Sequence, residues 1–551
     1  VLLPSNTQKL LMQWQGPFEV VESVAVNDYR VALPHGNKVF HTNMLKKYFE
    51  RSNDSDCDKD RIEVVAAGLS VVDDADEPTG EPLIHTLDSS SQSWQDVNIN
   101  PDLPLALRRS LVELVKEFSC IFSDIPGRTT THEHKIELID DQPIRVKQYP
   151  IPYAIRDEAV KAVQEMLDQG IIEPADSPFC SPLLMVRKKD STYRPVIDFR
   201  ALNQKTVFDA EPTPNVDDIH VKLAGSHFFS KMDFCKGYWQ IPMRPSDKPK
   251  TAFQCPPLGL FAFCTMPFGL VNSMATYSRM MRKVLEGLLN TDNFVDDVLT
   301  YTVSWQDHLD ELRRVFQCVK QAGLTIKPSK CYFGYDTIDF VGHRVGRDTV
   351  KPLLEKIEQV MSATTPTTKK QLRAFLGLIG YYRRYIDGFA TISAPLTDAL
   401  KGGVRTALNW GPEQTVAFEV LKTKLCSDPV LRLPDLSRPF VLRTDASDVG
   451  LGSVLLQEFD DGLFPVAYAG RKLNSAERNY AIVERECLAV VWSVLKFSKY
   501  LAARHFVLQV DNRPLSFLNT AKLSNARVMR WALALQAYSF RTEAIKGSDN
   551  V

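Results

Sequence analysis

Two neighbouring aspartates, Asp296 and Asp297, lie between apolar and β-prone residues in the segment 293–299. Because successive side chains of a strand point to opposite faces, adjacent aspartates reach one site only where the backbone reverses, as at a hairpin tip. Carboxylates this close need a counter-ion, and a hard cation such as Mg²⁺ is the obvious one. The expected third carboxylate is Asp233, at the end of the apolar segment 229–234. An isolated Asp-Asp pair is more often a solvated turn, so the surrounding sequence decides between the two interpretations.

The chain of 551 residues is long enough for three or four domains, and its 44% hydrophobic content can fill their cores. The formal net charge is −1, but the charge is unevenly distributed. Residues 51–104 contain thirteen acidic and only three basic residues. The rest of the chain therefore carries a net positive charge, which is typical of segments that bind nucleic acid.

The ten cysteines are scattered and form no C-x-x-C pair. This pattern argues against a disulfide framework or a zinc site and favours a reducing compartment. The uncharged run 251–278 is long enough to span a bilayer, but its prolines, glycines and polar side chains argue against a membrane helix. No signal peptide is visible and the chain begins at Val1, so we expect a fragment of a longer protein.

Residues 1–50 alternate apolar and polar side chains between turn signals, which predicts a small SH3-like β-barrel. Residues 51–104 are acidic and rich in serine, which predicts a largely disordered linker. Further along, the patterns predict helices at 105–122 and 156–169 and a strand at 133–138.

Residues 182–200 predict two strands joined by a cationic hairpin that carries Lys188 and Arg194. Such hairpin tips are usually just solvated. The alternative is a triphosphate clamp, because Lys offers a mobile point charge and Arg a fixed fork for phosphate oxygens.

Tyr238 follows Asp233 by five positions. Its ring either packs under a sugar and blocks a 2′-hydroxyl or belongs to the core. A loop with Phe268 and Gly269 then leads into a predicted helix at 273–288.

The basic hairpin, the strand with Asp233, the glycine loop with its helix and the Asp-Asp hairpin follow one another in a specific order. In this order and spacing the chain resembles the reverse transcriptases of Ty3/gypsy-type long-terminal-repeat retrotransposons, from roughly Leu138 to the C-terminus. The motifs that carry the resemblance are Phe229-Ser230-Lys231-Met232-Asp233, Met266-Pro267-Phe268-Gly269-Leu270, Phe294-Val295-Asp296-Asp297, Phe340-Val341-Gly342-His343 and Phe375-Leu376-Gly377-Leu378-Ile379-Gly380-Tyr381-Tyr382-Arg383-Arg384.

The resemblance implies an α+β multidomain chain. A right-hand polymerase would place its fingers and palm at 105–345 and its thumb and connection at 346–435. A ribonuclease H-like (RNase H-like) α/β domain would follow at 436–551, and the small SH3-like barrel would precede the polymerase.

The first fifty residues resemble the C-terminal module of retrotransposon integrases at Trp14-Gln15-Gly16-Pro17-Phe18 and at Val39-Phe40-His41-Thr42-Asn43-Met44-Leu45-Lys46-Lys47. Such modules are associated with DNA or chromatin contact. In most of this group the integrase follows the polymerase, whereas here an integrase-like tail precedes it. Either the chain belongs to the minority lineage with the integrase upstream, or it joins two adjacent copies of an element.

Residues 346–428 are predicted to be rich in helix, with a basic amphipathic helix opening at Thr367-Thr368-Lys369-Lys370. A plain helical linker would explain this pattern without any ligand. The resemblance instead implies a thumb that grips a nucleic-acid duplex. Its expected phosphate contacts are Lys369, Lys370, Arg373, Arg383 and Arg384.

The last segment predicts a strand ending at Asp445, a helix at 477–501 carrying Glu486, and a strand that delivers Asp511. Glu486 lies at or beside an apolar helix face, and a buried carboxylate is costly unless it is paired or bound to a metal. This order of Asp, Glu and Asp resembles the metal ligands of RNase H. The fourth carboxylate of that family would follow Asn550, and Asp549 is not its equivalent, so we expect an incomplete metal site and weakened or absent cleavage.

The resemblance implies an RNA-directed DNA polymerase in which Asp233, Asp296 and Asp297 hold two Mg²⁺ ions, with Mn²⁺ as a substitute. Asp445, Glu486 and Asp511 would hold two more for cleavage of RNA in an RNA–DNA hybrid. The implied nucleotide-binding residues are Lys188 and Arg194 for the triphosphate, Tyr238 for the sugar, and Phe268 with Gly269 for the pocket.

The expected partners are an RNA template, a DNA primer, an RNA–DNA hybrid and deoxynucleoside triphosphates, but not a membrane. We also expect a homodimer on the substrate and a location in cytoplasmic virus-like particles with access to the nucleus. Two other functions compete with this one: a non-catalytic nucleic-acid-binding remnant, and a targeting module centred on the integrase-like tail. Retention of Asp233, Asp296 and Asp297 favours the polymerase over a remnant, and the tail covers only the first fifty residues.

Overall fold

The computed structural model describes five strands within residues 2–41, and residues 92–545 except 141, 188–191, 213, 403–405, 428–429 and 511–525. The chain divides into two compact units, Val1–Glu81 and Pro82–Val551. Within the described ranges, no helix is both long and apolar enough to cross a bilayer.

The first unit is built from short antiparallel strands, as its alternating sequence predicts. Strand β1 pairs with β2, and β3, β4 and β5 form a separate three-stranded sheet. The strands are β1 (Leu2–Pro4), β2 (Met12–Trp14), β3 (Val20–Ala25), β4 (Asp28–Leu33) and β5 (Gly36–His41). Leu33 of β4 pairs with Gly36 of β5, so these two strands form a hairpin.

The second unit begins with the segment predicted to form fingers and palm. Its strands are β6 (Asn98–Ile99), β7 (Ile172–Pro174), β8 (Ser181–Arg187), β9 (Tyr193–Ile197), β10 (Phe228–Asp233), β11 (Phe253–Cys255), β12 (Gly259–Phe263), β13 (Thr291–Phe294), β14 (Asp297–Thr302) and β15 (Tyr332–Tyr335). Its helices are α1 (Leu105–Glu117), α2 (Arg156–Asp168), α3 (Arg200–Lys205), α4 (Val216–Lys222), α5 (Ser273–Val284) and α6 (Trp305–Gln321).

The palm is the five-stranded sheet β13-β14-β10-β15-β6, with β10 at its centre. Apolar residues on β10, such as Phe229 and Met232, are fully buried, as expected for a central strand covered by helices. The long amphipathic helix α6 packs onto this sheet through its apolar face, which includes Leu312 and Phe316. This packing fixes the end of β10, where Asp233 lies.

The fingers contain a second five-stranded sheet in the order β7-β12-β11-β8-β9. Strands β8 and β9 form the predicted hairpin, with Arg187 paired with Tyr193. Helix α2 ends at Asp168, one residue before the predicted end at Gln169. Gly170 then adopts a positive φ of 63°, a conformation that favours glycine. The predicted strand at 133–138 is instead an extended segment joined to its neighbours by isolated bridges at His134 and Leu138.

The thumb and connection combine a small sheet with a set of helices. The antiparallel sheet β16-β17-β18-β19 is formed by β16 (Thr337–Phe340), β17 (His343–Gly346), β18 (Thr349–Pro352) and β19 (Leu431–Arg432). The helices are α7 (Leu354–Met361), α8 (Lys369–Tyr381), α9 (Phe389–Ile392), α10 (Ala394–Ala399) and α11 (Pro412–Cys426). The predicted domain boundary at 345/346 therefore falls inside β17.

Helix α8 begins where the sequence predicts. Thr368 caps the helix, since its hydroxyl accepts a hydrogen bond from the Gln371 N–H, and the Gln371 side chain accepts one from the Thr368 N–H. Tyr381 and Tyr382, at the other end, donate hydrogen bonds to the Val341 and Gly342 carbonyls of the β16–β17 hairpin. Helix α8 is therefore anchored at both ends.

The last domain is a mixed sheet in the order β22-β21-β20-β23-β24, antiparallel on one side of β20 and parallel on the other. Its strands are β20 (Phe440–Ala446), β21 (Gly450–Phe459), β22 (Gly462–Lys472), β23 (His505–Val510) and β24 (Ser539–Ala544). Its helices are α12 (Ile482–Lys496), α13 (Ser498–Leu501) and α14 (Ala526–Leu535). Helix α12 packs against β20.

The end of the predicted linker differs from the structure. Strand β6 pairs with β15 at the edge of the palm, and the buried Asn100 side chain donates a hydrogen bond to the Gly334 carbonyl at 3.0 Å. Residues 92–104 thus belong to the folded palm although their composition matches the acidic linker. The linker prediction for residues 51–91 lies outside the described residues.

Candidate active site

The Asp-Asp motif forms the tip of the β13–β14 hairpin, as predicted. Phe294 pairs with Asp297, so Val295 and Asp296 form a two-residue turn. Val295 has a φ of 52°. A positive φ at the first turn residue is typical of type II′ turns, but it is costly for a β-branched side chain. Strain of this kind concentrates at functional sites, and here it brings two adjacent carboxylates to one place.

Asp233 lies directly opposite Asp297. The two residues are Cα partners in the antiparallel pair of β10 and β14. Directly opposed residues of such a pair project on the same face, with Cβ atoms about 5 Å apart. The predicted meeting of Asp233 with the Asp-Asp hairpin is therefore present, and Asp296 adds a third carboxylate at the turn.

The three carboxylates are electrostatically coupled. Burial raises the pKa of Asp296 to about 7, and the negative charges of Asp233 and Asp297 contribute in the same direction. Burial also raises the pKa of Asp297, although the ammonium of Lys231 opposes the shift. Oδ1 of Asp296 is buried and accepts no hydrogen bond from any described residue. An ionised Asp296 therefore needs a further cation.

Two lysines accompany the other carboxylates. Nζ of Lys231 lies 3.0 Å from Oδ1 of Asp297, and Nζ of Lys330 lies 2.9 Å from Oδ2 of Asp233. The sequence analysis did not identify either lysine as part of the site. Lys231 could have been found, because it precedes Asp233 by two residues on the same strand face. No local sequence pattern identifies Lys330 as part of the site.

These residues fit a hard divalent cation chemically. All three acidic side chains offer oxygen ligands, and the orphaned Oδ1 of Asp296 marks a polar position that lacks a partner. In the described part of the chain, no three His, Cys, Asp or Glu side chains are arranged so that they could hold a metal ion as they stand. The ammonium groups of Lys231 and Lys330 account for the orientation of Asp297 and Asp233.

An aromatic cluster lies beside the carboxylates. The rings of Tyr238 and Phe268 are 5.0 Å apart, and those of Tyr238 and Tyr277 are 5.4 Å apart. Burial raises the pKa of both tyrosines, with Asp296 as the next contributor. A Cβ at Gly237 would lie 2.8 Å from the Tyr277 ring, so the close approach requires glycine there. The rings of Tyr238 and Phe268 are therefore in contact, while the assignment of Tyr238 to the sugar and of Phe268 to the nucleotide pocket stays a prediction.

The loop after Phe268 is held by a residue that the sequence analysis missed. Asn203, on α3, donates a hydrogen bond to the Gly269 carbonyl at 2.8 Å and accepts one from the Val271 N–H at 2.9 Å. Gly269 has a φ of 90°, a conformation that favours glycine. Because Asn203 lies more than sixty residues away in the chain, local sequence patterns could not reveal this contact.

The predicted triphosphate clamp is described only in part. Arg194 lies on β9, where it pairs with Val186. Lys188 lies in the hairpin connection, outside the described residues. The assignment of both residues to the triphosphate stays a prediction.

The predicted phosphate contacts of the thumb separate into two groups. Lys370, Arg373 and Arg383 are exposed. Lys369 is buried and donates hydrogen bonds to the Lys401 carbonyl at 2.7 Å and to the Thr406 hydroxyl at 2.5 Å. Its burial assigns Lys369 a structural role, in contrast to the predicted phosphate contact.

Arg384 is partly buried, whereas its neighbour Arg383 is exposed, so these two residues also divide into a structural and an exposed position. The guanidinium of Arg384 forms an ion pair with Asp217 on α4, and the side chain is only 16% exposed. The next residue of α4, Asp218, pairs with Lys499 of the last domain at 2.8 Å. One turn of α4 therefore anchors both the thumb and the RNase H-like domain, and Arg384 belongs to this joint.

The second acidic site is described for two of its three predicted residues. Asp445 lies on β20 opposite Gly452, and Glu486 is buried on α12, which packs against β20. A Cβ at Gly452 would meet no atom of the described residues within 4 Å, so these residues leave space on the sheet at the position opposite Asp445. Strand β23 runs parallel to β20 and ends at Val510, one residue before Asp511, which lies outside the described residues.

Family models match three parts of the chain. Residues 1–49 match a Tf2-1-like SH3 domain, residues 186–345 match a reverse transcriptase (RNA-dependent DNA polymerase), and residues 435–538 match the RNase H-like domain found in reverse transcriptases. These matches confirm the predicted order of domains.

Curated relatives include the retrovirus-related Pol polyprotein from transposon 297 of Drosophila melanogaster, 39% identical over 430 residues, or 77% of this chain and 40% of that protein. The transposon Tf2-3 polyprotein of Schizosaccharomyces pombe is 31% identical over 483 residues, or 85% of this chain and 35% of that protein. The chain thus spans less than half the length of these relatives.

Among solved structures, the foamy viral protease-reverse transcriptase dRH in complex with double-stranded DNA is similar with a TM-score of 0.74 and 20% identity, covering 82% of this chain and 80% of that one. The foamy viral protease-reverse transcriptase in complex with an RNA/DNA hybrid is similar with a TM-score of 0.70 and 20% identity. The match covers 81% of this chain and 61% of that one. At this identity the likeness shows the shared fold. The chain therefore belongs to the family of retrovirus-related Pol polyproteins of transposons, and it carries a reverse transcriptase domain followed by an RNase H-like domain.

Proposed function

We propose that this chain is an RNA-directed DNA polymerase with an attached RNase H-like domain that cleaves the RNA strand of RNA–DNA hybrids only weakly. The observation that carries the proposal is the pairing of Asp233 with Asp297 in the palm sheet, with Asp296 beside them at the hairpin turn. An orphaned carboxylate oxygen and a raised pKa at Asp296 are features of a site that is completed by a cation.

Asp233, Asp296 and Asp297 would hold two Mg²⁺ ions, with Mn²⁺ as a substitute. When bound, such ions lower the pKa of a primer 3′-hydroxyl and neutralise the phosphates of the incoming nucleotide. The protein's own contribution is positioning. The cluster of Tyr238, Phe268 and Tyr277 would exclude water beside the carboxylates and hold the sugar.

The remaining contacts would come from the fingers and thumb. Lys188 and Arg194 on the β8–β9 hairpin would bind the triphosphate. Lys370, Arg373 and Arg383 are exposed and would contact backbone phosphates of the duplex. A template read through base pairing requires no base-specific contacts from these side chains.

Asp445, Glu486 and Asp511 would form the second metal-binding site, where water attacks a phosphorus of the RNA strand. The proposed substrates are an RNA template, a DNA primer, deoxynucleoside triphosphates and RNA–DNA hybrids. A homodimer on the substrate, and a location in cytoplasmic virus-like particles with access to the nucleus, are part of the same proposal.

The test is a pair of isosteric substitutions assayed side by side. Asp296→Asn should lower Mg²⁺-dependent primer extension by about 100-fold or more, because a charge that acts at the reacting phosphate is lost. Hybrid cleavage and duplex affinity should stay within about twofold, because the two sites lie in separate domains.

Glu486→Gln is the matched control and should show the opposite pattern, with the residual cleavage lost and extension retained. Primer extension that is unchanged in Asp296→Asn would contradict the polymerase assignment. Duplex binding without extension by the unsubstituted chain would favour a non-catalytic remnant.

A further inference from the structure

Asp233 and Asp297 each have a lysine counter-ion. The ion pairs are Lys330–Asp233 at 2.9 Å and Lys231–Asp297 at 3.0 Å. Asp296, the third acidic residue, has no such partner among the described residues, and its Oδ1 accepts no hydrogen bond. The site thus holds two internal ammonium groups where a bound metal would supply positive charge.

The backbone fixes both lysines in place. Lys231 precedes Asp233 by two residues on the central strand β10, so both side chains project on the same face. Lys330 ends the 3₁₀ turn Pro328–Lys330, just before β15 on the other side of β10. This turn is tied to the site, because the Lys327 N–H donates to the Asp233 carbonyl at 2.9 Å and the Lys330 N–H donates to the Lys327 carbonyl at 3.2 Å.

Both ion pairs are partly shielded from water. The side chains of Lys231 and Asp297 are 20% and 27% exposed, and those of Lys330 and Asp233 are 31% and 20% exposed. A charge in such a position interacts more strongly with its partner than a fully exposed one. A divalent cation that binds Asp233 and Asp297 must therefore displace or reorient two ammonium groups.

We propose that Lys231 and Lys330 are internal counter-ions that compete with the divalent metal for Asp297 and Asp233, and so keep the affinity of the site for free metal low. The inference rests on the proposed polymerase function, because it assigns these carboxylates to a metal. A nucleoside triphosphate would relieve the competition, since its phosphates offer the metal more oxygen ligands and offer the displaced ammonium groups another anion.

The experiment measures Mn²⁺ binding to the full chain without nucleotide, by the electron paramagnetic resonance signal of free Mn²⁺. All samples carry Glu486→Gln, which removes a predicted ligand of the second metal site. Lys231→Met and Lys330→Met remove the charge and keep most of the apolar stem. Each should lower the Kd for Mn²⁺ about tenfold, the ratio that corresponds to about 1.4 kcal/mol.

Lys222→Met is the matched control. Its ammonium, on α4, pairs at 2.6 Å with Asp292 of β13 and forms no ion pair with the three carboxylates among the described residues, so the Kd should not change. Thermal unfolding gives a second readout: Lys231→Met and Lys330→Met should lower Tm in EDTA, and Mn²⁺ should restore it. This pattern separates competition for metal from general misfolding.

The possible outcomes distinguish the inference from the proposed function. A Kd that is unchanged or raised in both lysine variants, while Asp296→Asn still abolishes binding, overturns the competition alone. Binding that Asp296→Asn leaves intact overturns the polymerase metal site, and the competition with it. A lowered Kd in Lys222→Met equal to that in the other two variants also contradicts the proposal, because the effect would then be one of net charge.

Discussion

The palm hairpin and the thumb both contain adjacent residues of like charge, but the two regions use them differently. Asp296 and Asp297 reach one site because the backbone reverses between β13 and β14. Lys369 and Lys370 diverge because successive residues of a helix are about 100° apart, so one is buried and the other exposed. Adjacency in sequence therefore indicates a shared function only where the local backbone geometry permits it.

The largest expected effect concerns the second residue of the Asp pair. Asp297→Asn should lower primer extension on the order of 100-fold, because the carboxylate opposite Asp233 loses its charge. Steady-state extension with Mg²⁺ checks this, with hybrid cleavage as the internal control. If Asp297→Asn retains full extension while Asp296→Asn does not, the two aspartates have separate roles, as Lys369 and Lys370 do. The contrast between the palm hairpin and the thumb would then be wrong.

The thumb lysines should differ in their effect on folding. Lys369→Met should destabilise the chain by about 2–3 kcal/mol, because the Lys401 carbonyl and the Thr406 hydroxyl lose a charged donor. Lys370→Met should change the free energy of unfolding by less than about 0.5 kcal/mol, as is usual at exposed positions. Urea unfolding of both variants measures the difference, and equal effects would refute the assignment of separate roles.

Asp296 should make the stability of the metal-free protein depend on pH. Its pKa in the folded state is about 7, above the ordinary value of 3.8, so folding disfavours its ionised form. The penalty is absent below about pH 4, grows as the pH rises towards 7, and is complete above 7. Asp296→Asn should therefore stabilise the protein in EDTA at pH 8 by up to about 4 kcal/mol and have no effect at pH 4.

Thermal unfolding of both proteins across this pH range gives the test. A stabilisation that is independent of pH would show that the charge of Asp296 carries no folding penalty. The pKa of Asp297 is raised in the same direction, but the ammonium of Lys231 opposes that shift.

The smallest expected effect is on duplex binding. Lys370→Met and Arg373→Met should each weaken the affinity a few-fold, and each should reduce the slope of log K against log salt by about 1, since one phosphate contact is lost. Fluorescence anisotropy at several salt concentrations measures both quantities. An unchanged slope in both variants would place the duplex elsewhere on the thumb.

Local patterns in the sequence predicted the features that depend on neighbouring residues. The hairpin at Asp296 and Asp297 follows from strand periodicity, and the start of α8 follows from the capping signal at Thr368. The pairing of Asp233 with Asp297 was expected from the family resemblance and from the chemistry of a shared cation.

Features that depend on distant residues escaped prediction. Asn203 holds the loop at Gly269, and Lys330 reaches Asp233, across separations that no local pattern spans. Lys369 is buried because the segment after α10 supplies a carbonyl and a hydroxyl that accept hydrogen bonds from its ammonium group. Composition alone placed Asn98 and Ile99 in the linker, because a two-residue strand has no periodicity to detect.

Strand β6 has a practical consequence for anyone who isolates the polymerase. A fragment that begins at α1 would remove β6 and expose the backbone groups of β15 that it covers. Uncovered strand edges of this kind pair with other chains, so the shortened protein should aggregate. The shortest well-behaved fragment begins upstream of Trp94, inside the stretch whose acidic composition suggests that it could be discarded.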